Sequence, residues 1–150
     1  MWLAGGVFDT VVDDDDSAEL YRLVDDIGRR SFDARIGQRR RPEPFDTALW
    51  HTLEETGLAR LTSTHDQDAG PAEMAVVLKG LAAHAAAVPL AETDLMAAWL
   101  AAQADVSVPE RGALTVALAR ARIDGSRVVG VAPEVPWTRA CAAVLLAAET

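Results

Sequence analysis

The sequence predicts a mainly α protein, an N-terminal orthogonal helical bundle followed by an incomplete β-domain, α+β overall. Three observations predict it. Apolar residues recur at helical spacing between cap and stop residues from 16 to 108. After Pro109 the composition turns β-rich. Half of the 150 residues are hydrophobic, yet aromatics make up only 5%, so alanine carries much of the apolar count. Such a composition suits helices packed at close range better than a core of large rings. The length allows one domain with a real core plus the start of a second.

Residues 1–15 read as a flexible acidic leader, because they lack a helical period and end in the self-repelling run Asp13 to Asp16. Asp16 precedes Glu19 by three, the capping-box spacing, and Leu20, Leu23, Val24 and Ile27 follow at i, i+3, i+4 and i+7. They define a helix over about 17–32 with one buried stripe. Residues 33–44 hold Gly37, Arg39 to Arg41, Pro42 and Pro44 and form a polar connector.

Asp46 is the N-cap of a second helix, over 46–56, and Phe45 before it is placed to staple onto Trp50. Leu49, Trp50 and Leu53 form the inner face, Glu54 and Glu55 a solvated polar end, and Gly57 the stop. Pro71 opens a third helix that Pro89 ends; from 71 to 87 its strongly polar side chains are Glu73, Lys79 and His84, which places it in the middle of the bundle. A fourth, over 92–104, carries Leu95, Met96, Trp99 and Leu100 among alanines. Close approach of these two helices predicts an overpacking cost of about 1 to 3 kcal/mol for a bulky residue at Ala82 or Ala86.

Leu114 to Leu118 and Arg127 to Val131 are β-rich and flank the turn signal Asp124-Gly125, which reads as a hairpin. Ala143 to Ala148 gives a third strand. Three strands without closure leave an open edge, so the β-domain over 109–150 is expected to be truncated.

The composition excludes several classes. A net charge of −9 and a pI near 4.7 oppose nucleic-acid binding. A single cysteine, Cys141, rules out an intrachain disulfide framework and fits a reducing, cytoplasmic compartment. The start lacks a basic segment before its apolar residues, and His84, Pro89, Glu92 and Asp94 interrupt the alanine-rich middle, so neither a secretory signal nor a membrane span is expected.

Few residues offer chemistry. The aspartate run lacks the alternating ligands of a calcium loop, and Arg39 to Arg41 read as a hydrated loop rather than an anion site. His65, Asp66 and Asp68 are metal-ligand types, but nothing completes them at a familiar spacing, so no metal site is expected. His51 and His84 sit among apolar neighbours as structural residues, and no catalytic triad or carboxylate pair follows from spacing. Gly5-Gly6 has neither the strand nor the helix of a nucleotide loop.

Resemblance extends the reading. The run Phe45 to Leu58, with its acidic cap, Leu49-Trp50, Leu53 and Gly57-Leu58, resembles the second helix of acyl-CoA dehydrogenases. Met74 to Leu81 and then Ala87-Val88-Pro89-Leu90-Ala91-Glu92-Thr93 are similar to that family's long helix and Pro-Leu-x-Glu-Thr junction. Asp124 to Gly130 and Val135 to Ala140 resemble β-domain strands of actinobacterial-type members. The similarity spans residues 16 to 150, and its strength is the ordered series.

It implies an oligomeric oxidoreductase of lipid degradation, in which a carboxylate removes the α proton of an acyl-CoA and the flavin of FAD accepts hydride from the β carbon. The family's catalytic glutamate lies in a C-terminal domain, beyond residue 150, so the isolated chain is expected to be inactive. Trp137 and Thr138 stand nearest to the family's flavin-stacking run, whereas its Thr-Glu-Pro to Gly-Ser-Asp segment has no counterpart between Gly112 and Arg122. The resemblance also implies homo- or hetero-oligomers with subunits of the same type. The alternative is a non-catalytic partner subunit or helical interaction protein on the same fold.

Overall fold

A computed structural model describes residues 14–38, 43–64 and 69–149. Four helical segments and a three-stranded sheet make a mixed α and β architecture. The leader residues 1–13, Gly5-Gly6, Arg39 to Arg41, and the trio His65, Asp66 and Asp68 lie outside the described residues.

Helix α1 runs over Asp14–Arg35, longer at both ends than the spacing predicts. Asp16 and Glu19 are therefore exposed positions within the helix rather than its cap. Aspartates in a first turn are favoured by the positive end of the helix dipole, so the acidic run continues as helix. Val24, Ile27 and Gly28 are buried and Leu20 packs against the core, but Leu23 is 42% exposed and leaves the expected stripe. At the other end Arg35 extends the helix. Its guanidinium pairs with Glu43 at 2.5 Å and Asp46 at 3.3 Å, and donates to the carbonyls of His84 at 3.2 Å and Ala85 at 3.1 Å.

Helix α2, Thr47–Glu55, forms as the sequence dictates. The Asp46 carboxylate accepts from Leu49 N at 2.9 Å and from the Ser31 hydroxyl at 2.6 Å, and the Phe45 and Trp50 rings lie 6.0 Å apart. Leu49, Trp50 and Leu53 are buried, and Gly57 takes φ +77° to leave the helix. A short 3₁₀ turn, Leu58–Arg60, follows.

Helix α3, Pro71–Ala83, ends well before Pro89. The Ala86 amide reaches back to Leu81 O at 3.2 Å and the Ala85 amide to Ala82 O at 3.0 Å, with Ala85 at φ +50°. This is the Schellman closure, and here alanine fills a position that glycine usually takes. Nor does α3 occupy the middle of the bundle. Met74, Val77, Gly80 and Leu81 are buried, while Ala82 is exposed and Ala86 half-buried, which removes the predicted overpacking at both. Tight packing sits instead at Gly80, where an added Cβ would lie 2.7 Å from Val24 Cγ1.

The last helical segment, α4, is a π-helix over Glu92–Ala98 that continues as an α-helix over Trp99–Gln103. Thr93, Asp94, Ala97, Ala98 and Ala101 face inward along one side of it. Leu95, Met96 and Trp99, the large side chains of the expected inner face, are 40%, 49% and 59% exposed. Helix α1 packs on α3, whereas α4 packs on the sheet. No helix among the described residues is long and apolar enough to cross a membrane.

Strands β1 (Leu114–Asp124) and β2 (Arg127–Val131) form an antiparallel hairpin around Gly125 at φ +61°, with Asp124 opposite Arg127. Strand β3 (Ala143–Glu149) pairs with β1 in parallel, Leu114 opposite Ala143, giving the order β2-β1-β3. Thr115, Ala117 and Ala119 are buried on the face toward α4, while Leu118 and Val131 are each 75% exposed on the other.

Candidate functional site at the junction of helices and sheet

The polar side chains that the helices bury converge where α4, the 3₁₀ turn and the start of β1 meet. Thr93 is buried, and its hydroxyl donates to Leu114 O at 3.0 Å and accepts from Leu114 N at 2.9 Å. Next to it Asp94, 1% exposed, accepts four hydrogen bonds at 2.5 to 3.1 Å, from the amides and hydroxyls of Thr62 and Ser63. Four donors replace the water that the carboxylate loses, which is the condition for burying it.

Arg60 and Glu54 complete the junction. The Arg60 guanidinium donates to Pro109 O at 3.2 Å and Gly112 O at 3.3 Å. Burial holds it below its ordinary pKa, opposed by the charges of Asp94 and Glu54. Glu54 is half-buried rather than solvated: Oε1 accepts from Trp50 Nε1 at 3.0 Å and from Gly112 N at 2.5 Å. Beside the junction a groove of about 420 Å³ is lined by Thr62, Ser63, Pro71, Leu95, Ala98 and Trp99 among others. Its polar floor is the Asp94 cluster.

The histidines are apart. His51 is exposed, and His84 lies within hydrogen-bond distance of Asp25, Nε2 to Oδ1 2.8 Å, joining the end of α3 to α1. Cys141 packs against the core, and burial, followed by the charge of Glu92, pushes its thiol up to about 11. Among the described residues no three His, Cys, Asp or Glu side chains gather in a metal-sized group.

Trp137 and Thr138, the residues that the family resemblance puts near a flavin, lie in the connection from β2 to β3. The Trp137 ring is half-buried, with its edge on Phe45 at a centroid distance of 6.3 Å and an interplanar angle of 69°. The Thr138 hydroxyl donates to Val135 O at 2.8 Å. Trp137 keeps part of its surface open to solvent beside these contacts, and Thr138 is exposed.

Thr93, Asp94, Glu54 and Arg60 are the residues that spacing alone does not reveal. One signal existed. Glu92-Thr93-Asp94 is a polar triplet inside an alanine-rich helix, where each polar side chain needs a partner. Comparison with protein-family models, curated proteins and solved structures finds no match to this chain.

Proposed function

We propose that the chain is a non-catalytic portion of an acyl-CoA dehydrogenase-like protein, an orthogonal helical bundle with its first β-strands, which contributes surface to a cytoplasmic assembly of like subunits. One observation carries the reading. The buried Asp94 carboxylate is engaged on both oxygens by internal donors, while apolar side chains face outward on α4 and on the sheet. Oxygens engaged by internal donors are not presented to a ligand, and large apolar groups left in water favour contact with a partner.

The second reading is an oxidoreductase acting on the CH-CH group of an acyl-CoA, FAD-linked in its complete form. The ordered series from Phe45 through Pro89 to Trp137 favours it. Both readings are tested by mixing the pure chain with FAD, acyl-CoA thioesters and an electron acceptor. The non-catalytic reading expects no acceptor reduction, and measurable turnover sinks it in favour of the second.

A further inference from the structure

The contacts around Trp137 form a closed path that joins the helices to the sheet. Its ring meets Phe45 at 6.3 Å, and Phe45 meets Trp50 at 6.0 Å. Trp50 Nε1 donates to Glu54 Oε1 at 3.0 Å, and the same oxygen accepts from Gly112 N at 2.5 Å. One peptide further, Ala113 O accepts from Ala142 N at 2.7 Å, and the neighbouring Cys141 N donates back to Trp137 O at 3.1 Å. Side chain, backbone and ring contacts therefore return to the residue they started from.

Two backbone features confine the path. Trp137 holds φ +58°, a conformation that a bulky residue adopts only when its surroundings impose it. Gly112 holds φ +89°, and a Cβ there would lie 2.5 Å from that of Ala142, so only glycine lets the two chains pass.

We infer that Trp137 is a positioning residue, the keystone of a joint that fixes the β2–β3 connection to the start of α2 and to the entry of β1, and not a flavin contact. The inference rests on the acyl-CoA dehydrogenase-like reading only for the role it denies to Trp137. The joint itself follows from geometry. Aromatic pairs of this kind contribute beyond the area they bury, and residues within one network respond to substitution together rather than independently.

The test uses the whole chain and two measurements. In a thermal double-mutant cycle, Trp137→Leu and Phe45→Leu each lower Tm by roughly 5 °C, and the double variant falls by clearly less than the sum. Trp137→Phe, which keeps a ring, stays near the parent. FAD titration, followed by flavin fluorescence, then compares the parent with Trp137→Phe and Thr138→Ala. Identical curves for all three, flat or saturating, support the joint. Additive Tm losses, or flavin binding by the parent that either variant abolishes, overturn it. Because turnover is measured separately, failure of the joint is distinguishable from failure of the functional reading.

Discussion

Thr93 holds Leu114 by both of its backbone groups, accepting from the amide at 2.9 Å and donating to the carbonyl at 3.0 Å. On the edge of β1 away from β3, where β2 does not reach, a single buried hydroxyl thus stands in for a strand neighbour. Thr93→Val keeps the shape and removes both bonds, leaving two orphaned backbone groups. The expected loss is about 2 to 4 kcal/mol, read as a lower urea midpoint with the slope unchanged. Thr93→Ser, which retains the hydroxyl, is expected to recover most of it.

Asp94 is expected to tolerate even its nearest isostere poorly. In Asp94→Asn one acceptor oxygen becomes a donor facing the donors of either Thr62 or Ser63. Urea unfolding should show a loss of about 2 to 3 kcal/mol. Hydrogen exchange at the Thr62 and Ser63 amides should accelerate with it, whereas a change within about 0.5 kcal/mol would contradict the cluster.

At Ala85 the opposite sign is expected. Its φ of +50° closes α3 in a conformation that disfavours any Cβ. Ala85→Gly should stabilise the chain by up to about 1 kcal/mol, raising Tm by roughly 2 to 4 °C. A lower Tm would show that α3 does not end in this turn.

Cys141 should be slow toward alkylating reagents. With its thiol at about 11 instead of 9.0, the thiolate fraction at pH 8 falls about a hundredfold. Mass spectrometry of timed alkylation should show the folded chain lagging the urea-unfolded chain by roughly tenfold, because the more basic thiolate is also the better nucleophile. The raised value also fixes the sign of linkage. The folded state keeps this proton longer than the unfolded one, so its contribution is complete below pH 9 and is lost as pH rises through about 11.

Legibility in the sequence followed the range of the interactions. Helix α2 was readable because Asp46, the Phe45 staple and Gly57 act within a few residues of one another. The end of α3 was not, because the deciding carbonyl acceptors at 84 and 85 belong to Arg35, 49 and 50 residues away. The face of α4 was misassigned because its large apolar side chains were taken as the inner ones, whereas at the same helical spacing the buried face is Thr93, Asp94, Ala97, Ala98 and Ala101, and Leu95, Met96 and Trp99 face outward. Asp94 and Thr93 could be flagged as polar intruders in an apolar helix, but their partners stand 32 and 21 residues off. Strand β3 was legible as a strand, while its parallel pairing with β1 was not, since alternation does not specify a partner.

That parallel pairing also orders events in time. Helices close by local contacts within microseconds, while a strand returning parallel to β1 must first bring the whole connection after Val131 back across the sheet. Thr93 anchors the first residue of β1 to a helix that can already exist at that stage. The body of helices is therefore the template and β3 the late arrival, so on refolding β3 amides should be the last of the sheet to gain protection from exchange.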